Sequence, residues 1–172
     1  MKWGQDPRMK FRQFHVGQVI EAGPYEVTED AIIEFARRWD PQWFHLYPEA
    51  AKDGHFGGLI ASGIQSLAIV MHLLVPAVLE GSESLASPGL GYVKWPNPTR
   101  VGDSLRLRVT LLEVRTSKKR PELGIVRWRW QLFNRAGDEV LDAEATSLFD
   151  LARGAPDLAR INDPGVPASR PA

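Results

Sequence analysis

Asp40 and His45 stand five positions apart in RRWDPQWFHLYPEAA, residues 37 to 51, an aromatic stretch too apolar for an ordinary surface loop. A carboxylate accepts hydrogen bonds and an imidazole either donates or accepts, so the pair has the chemistry to hold and polarise one water. Their spacing permits a loop that folds back until both side chains face one point. Asp40 is expected just past a helix C-terminus, where the dipole disfavours negative charge. Around it stand Trp39, Trp43 and Phe44, which would desolvate a carboxylate. Both effects predict a carboxyl with raised proton affinity. Taken alone, an Asp before a proline is an ordinary turn former.

The neighbouring elements must bring this pair to a site. Thr28 offers an N-cap, Glu29 and Asp30 suit the positive end of a helix, and Arg37 and Arg38 suit its negative end. Ile32, Phe35, Ala36 and Trp39 follow the helical repeat and predict one buried stripe. Pro41 disfavours a helical Asp40 and so ends the helix there. Pro48 can open a short helix over residues 49 to 53, closed by Gly54. From Ser62 to about Val75, Ile64, Leu67, Ala68, Ile69, Val70, Met71, Leu73 and Leu74 leave almost no polar side, which predicts a helix covered all round. Ser62 with Gln65 fits a capping box, and Pro76 kinks or ends the helix.

Elsewhere the period is that of strands. Residues 17 to 27 read as extended, with Gly23-Pro24 as a break. Residues 89 to 95 supply another strand, bounded by Pro96 and Pro98. Leu105, Leu107, Val109 and Leu111 alternate with polar residues until Leu112 and Val114 shift face, as at a bulge. Val126, Trp128, Trp130 and Leu132 form a half-buried strand, and residues 134 to 138 a hairpin turn. Leu141, Ala143, Ala145 and Phe149 line the return strand. Helices followed by antiparallel strands, with one apolar helix needing cover, predict an α+β fold in which a sheet curls around that helix.

The chain has 172 residues, enough for one domain with a real core. We divide it into an N-terminal extension (1–13), one folded domain (14–150) and a Pro-rich tail (151–172). The last 21 residues hold four of the 13 prolines and no aromatic residue. Its 21 basic residues balance 21 acidic ones, so no positive field calls for nucleic acid or an anionic membrane. It has no cysteine, which removes thiolate catalysis and zinc-thiolate sites, and no His pair has helical zinc spacing, so no metal is expected. MKWGQDPRMK lacks the apolar run of a secretory signal. The longest apolar run, residues 67 to 79, falls short of the roughly 20 residues that span a bilayer. A soluble cytoplasmic protein without a membrane partner is the expectation.

FARRWDPQWFHLYPEAA, followed by FGGLIASG and NPTRVGDSL, resembles the MaoC-like family of R-specific enoyl-CoA hydratases and dehydratases, over roughly residues 14 to 150. The resemblance implies a hotdog fold, an antiparallel sheet wrapped around a long central helix. Its Asp-x4-His motif falls on Asp40 and His45, and its Ser-Gly at the start of the central helix on Ser62 and Gly63. One departure is visible: Gln42 and Trp43 stand where many members have Asn-Pro.

Reversible hydration of a trans-2-enoyl-CoA to an (R)-3-hydroxyacyl-CoA needs a water activated for attack at the β-carbon, a proton for the α-carbon, and a sink for charge on the thioester oxygen. The resemblance gives the first two tasks to Asp40 and His45. The third goes to the Gly63 amide at the positive end of the central helix. Ser62 caps that helix and can also touch Asp40. Trp43, Phe44, Tyr47, His55, Phe56, Gly57 and Gly58 are candidate substrate-binding residues: Trp43 and Tyr47 would shorten the acyl pocket, His55 would sit near its entrance, and Gly57 and Gly58 would let the chain pass close over the ligand. His72 reads as a hydrogen-bonded core histidine. Lys118, Lys119 and Arg120 form a basic turn that either meets the CoA phosphates or stays solvated. No cofactor is expected, CoA being the carrier of the substrate.

Two alternatives belong to other classes. Hotdog domains also host thioesterases, many with an acid on the central helix, yet residues 62 to 79 contain none. A non-catalytic acyl-thioester-binding module has only Trp43 in its favour. A sheet curled round one helix leaves long strand edges that a second copy can cover, so a homodimer or larger homo-oligomer is expected. The resemblance implies that the CoA groove lies at that interface.

Overall fold

The computed structural model describes residues 9–152. Residues 1–8 of the N-terminal extension and residues 153–172 of the tail lie outside the described residues. The helices lie between residues 29 and 74, after the first strand. α1 (Glu29–Trp39) starts where Thr28 accepts the Ala31 amide and ends at Asp40, as the caps and Pro41 require. A four-residue α2 (Trp43–Leu46), which the sequence did not announce, is followed by α3 (Pro48–Lys52) with proline in its first turn. α4 (Gly63–Leu74) is the central helix, and it passes into a π-helical turn over Val75–Leu79 around Pro76.

Five strands form one antiparallel sheet: β1 (Val19–Glu26), β2 (Ser84–Lys94), β3 (Ser104–Thr116), β4 (Leu123–Phe133) and β5 (Glu139–Asp150), in the order β1-β3-β4-β5-β2. The break at Gly23-Pro24, a cis peptide, shifts the β1 register between Ala22 and Tyr25. The bulge expected at Leu112 is present, since Leu111 pairs with Trp128 and Glu113 with Arg127. The turn from Asn134 to Asp138 closes the β4–β5 hairpin. One face of β3, β4 and β5 meets α4: Leu105, Leu107, Val109, Leu111, Trp128, Trp130, Leu132, Leu141 and Phe149 are buried with Ile69, Val70, Leu73 and Leu74. Phe11, in a 3-10 turn, joins this core against Phe149, with ring centroids 5.7 Å apart.

Three expectations need correction. α4 is not covered all round: Ile64 is 54% exposed, Met71 39% and Val75 40%. One five-stranded sheet reaches only one side of a helix, and the other side stays open within a single chain. Ser62 and Gln65 do not close a capping box. Ser62 Oγ accepts from Ile64 N at 3.2 Å, while Gln65 Nε2 donates 2.9 Å away to Ala31 O and ties α4 to α1. His72 is exposed rather than buried, edge-on to Tyr25 at 5.4 Å, because it falls on the uncovered flank of α4.

Phe149 has no exposed surface and touches Phe11, Phe14 and Trp128. Phe149→Ala should therefore cost about 3–5 kcal/mol, read as a lower urea midpoint with an unchanged slope. A midpoint within error of the parent would contradict this packing.

Candidate active site

Asp40 and His45 converge because three short elements turn the chain sharply. α1 ends at Asp40, whose amide donates to Ala36 O, and the Gln42 amide then donates to Asp40 O at 2.8 Å. α2 carries His45 back to place Nε2 3.5 Å from Asp40 Oδ2. His45 is buried, and its Nδ1 lies 2.7 Å from Ile60 O. A carbonyl oxygen only accepts, so Nδ1 carries a hydrogen. In the neutral ring Nε2 is then a lone pair facing a carboxylate oxygen. At 3.5 Å, too long for a good direct bond, that gap suits a water giving one hydrogen to each.

Ser62 completes the arrangement from the start of α4. Its hydroxyl donates to Asp40 Oδ2 at 2.6 Å and accepts from Ile64 N, so one side chain caps the helix and grips the acid. Gln42 Nε2 donates to Asp40 Oδ1 at 2.8 Å. These bonds overturn the expectation of raised proton affinity. The Ser62 hydroxyl above all, with Gln42 and His45 in the same direction, holds the Asp40 carboxyl below its usual range despite the upward push of burial. The aromatic residues desolvate it less than the sequence implied, since Trp39 is 71% and Trp43 48% exposed. Asp40 is a carboxylate at neutral pH.

A cavity of about 410 Å³ opens on this group, lined by Asp40, Gln42, Phe44, His45, Ser62 and Gly63 on one side. Phe56, Ile64, Val140 and the segment from Trp95 to Thr99 are among the other residues that line it. Gly63 is the first residue of α4, so its amide has no intrahelical partner and sits at the positive end of the helix. The absence of a side chain there serves packing as well as access: a Cβ would stand 2.6 Å from the Trp95 ring. Thr99 Oγ1 lies 3.0 Å from Ser66 Oγ, and Ala61 N donates to Thr99 O, holding this wall against α4.

Several expected site residues lie elsewhere. Trp43, His55 and Gly58 line a smaller, separate apolar pocket with Ala51 and Gly54, to which Phe44 and Phe56 also contribute. Tyr47 is 60% exposed and touches neither space. Gly57 adopts φ +64, a conformation the turn requires of a glycine, and does not line the cavity. Lys118, Lys119 and Arg120 follow β3 at the end of the sheet where Leu123 pairs with Asp150. Trp95 follows Lys94 at the end where Lys94 pairs with Asp142. Eight residue steps along β5, from Asp142 to Asp150, or roughly 26 Å, separate the two within one subunit. Conversely, Gln42, Ile60 and residues 95 to 99 were missed, although NPTRVGDSL pointed to their neighbourhood. Among the described residues no three His, Asp or Glu side chains gather in a group that could hold a metal ion, and no helix is long and apolar enough to cross a membrane.

Known proteins resemble this chain in sequence and in structure. YdeM of Bacillus subtilis is 34% identical over 141 residues, 82% of this chain and 99% of that protein. The 3-hydroxyacyl-thioester dehydratase Z of Mycobacterium tuberculosis is 33% identical over 90 residues, 51% of this chain and 60% of its own length. The crystal structure of a MaoC-like dehydratase from Rhodospirillum rubrum superposes with a TM-score of 0.76 at 37% identity, over 81% of this chain and 94% of that one. R-hydratase PhaJ1 from Pseudomonas aeruginosa gives 0.65 at 26% identity, over 81% and 84%. These neighbours identify the curled sheet and central helix as a hotdog fold. A family model for the MaoC-like domain matches residues 11–127, and this makes the chain a member of the MaoC-like family.

Proposed function

We propose that the protein is an acyl-thioester hydratase or dehydratase, interconverting a trans-2-enoyl-CoA and an (R)-3-hydroxyacyl-CoA. The observation that carries the reading is the 3.5 Å gap between His45 Nε2 and Asp40 Oδ2, two residues that line the same cavity as Gly63. A water donating one hydrogen to each acceptor turns a lone pair toward the cavity. Its oxygen bonds to the β-carbon as one proton passes to Nε2. The displaced π electrons collect on the thioester oxygen, where the Gly63 amide and the α4 dipole stabilise them. The imidazolium, its Nδ1 hydrogen held by Ile60 O, then returns the proton to the α-carbon and the charge collapses. Water is added across the double bond with no residue consumed, and the reverse sequence is the dehydration. Asp40 orients the water and stabilises the imidazolium. A dehydratase among the relatives and a hydratase among the structural neighbours support this class.

A second copy of the chain belongs to the same reading. β2 is an eleven-residue edge strand, almost wholly exposed, with Leu85 and Leu90 bare. The open face of α4 adds Ile64, Met71 and Val75. Unpaired strand edge and uncovered apolar helix face both favour association, and a homodimer covers them together.

Asp40→Asn should retain the fold and lose about 10²–10⁴-fold in hydration of an enoyl-CoA, followed as loss of enoyl absorbance; undiminished turnover would eliminate the assignment. Ser62→Ala removes the strongest of the bonds that hold the Asp40 carboxyl down. Its titration, followed by carboxyl-carbon NMR, should move to higher pH than in the parent. The carboxylate's contribution to folding, present above the unfolded value and lost as pH falls through the folded one, should then fade earlier on acidification. An unmoved titration would show that Ser62 does not set it. Sedimentation should give a dimer that Met71→Glu weakens; a monomeric parent would refute the association.

A further inference from the structure

Trp95 has the properties of a specificity residue that neither the motif nor the fold announces. It is 46% exposed, large and apolar, yet it is not loose: its Nε1 donates to Gly63 O at 3.0 Å, and its ring fills the place of a Gly63 Cβ. The chain around it is stiff, with Pro96 and Pro98 on either side of Asn97, whose Nδ2 donates to Glu139 O at 2.9 Å. The ring lines the same cavity as Asp40, His45 and Ser62. An acyl group whose thioester oxygen meets the Gly63 amide, and whose β-carbon meets the water at Asp40 and His45, must house its remaining carbons in what is left of the 410 Å³ cavity, and Trp95 is the largest side chain lining it. Trp43 and Tyr47, which the sequence offered for the task, lie outside the cavity.

From this we infer that Trp95 sets the upper length of the acyl chain, restricting the protein to short enoyl thioesters, and that its N–H is the positioning contact that fixes Gly63. The inference rests on the thioester reading above. Two properties of one side chain are involved, and two substitutions separate them. Trp95→Ala removes ring and N–H together; Trp95→Phe keeps a ring and removes the N–H. Trp95→Leu replaces Trp95→Ala if the latter does not fold by circular dichroism.

The experiment measures kcat and KM on enoyl-CoA thioesters of four, six, eight and ten carbons. The parent should favour four over eight carbons in kcat/KM. Trp95→Ala should raise the eight-to-four ratio by at least about tenfold, whatever happens to its absolute rate. Trp95→Phe should keep the parent ratio and lower kcat on the four-carbon substrate more than it changes KM, which a purely structural role would not single out. A parent without short-chain preference, or a ratio unmoved by Trp95→Ala, would overturn the inference while leaving the hydratase reading intact. If the parent turns over no enoyl-CoA, that reading fails instead. Calorimetric binding of saturated acyl-CoA of the same lengths then decides the wall: a length limit relieved in Trp95→Ala supports it, and a limit unchanged, or no binding at all, rejects it.

Discussion

The Ser62 hydroxyl joins the two halves of the site. It gives its hydrogen to Asp40 Oδ2 at 2.6 Å and takes one from Ile64 N at 3.2 Å, so the end of α1 is fastened to the start of α4 by a single oxygen. Because the acceptor is a carboxylate, the bond is charge-assisted and short. Three consequences share this cause. The carboxyl is kept ionised, α4 is capped, and the first turn of α4 is tied to the end of α1.

Around that bond three further hydrogen bonds each join a side chain to a backbone carbonyl. Ile60 O holds His45 through Nδ1, Ala31 O holds Gln65 and so the angle between α1 and α4, and Trp95 holds Gly63 O. Backbone carbonyls move only when their element moves, so the site is as rigid as the packing of α4 on the sheet. That packing is one-sided. The buried face of α4 meets Leu105, Leu107, Trp128 and Leu141, while Ile64, Met71 and Val75 face outward from the same helix whose first residue borders the cavity. A surface that covers the open face would also stiffen the site.

Much of the fold was legible because it depends on periodicity. Alternation in 104–111 and 126–132 defines strands, the Leu112 shift defines a bulge, and Thr28 and Pro41 bound a helix. The short helix α2 was not legible, since four residues give no period. Asp40 shows a subtler failure. A helix end and three aromatic neighbours argue locally for a raised proton affinity, but the decisive donor, Ser62, is 22 residues away in sequence, and Trp39 and Trp43 turn outward.

The sequence by itself determined the longer elements, the order in which they occur and the chemical types at 40, 45, 62 and 63, because caps, breakers and apolar period act over a few residues. Tertiary structure alone decided which groups meet: the 3.5 Å gap, the carboxylate state of Asp40, and the replacement of Trp43 and Tyr47 by Trp95 at the cavity wall. Hydrogen bonds and van der Waals contacts fall away within an ångström or so of their optimum. Such distances are fixed by how α4 lies on the sheet, not by the spacing of residues along the chain.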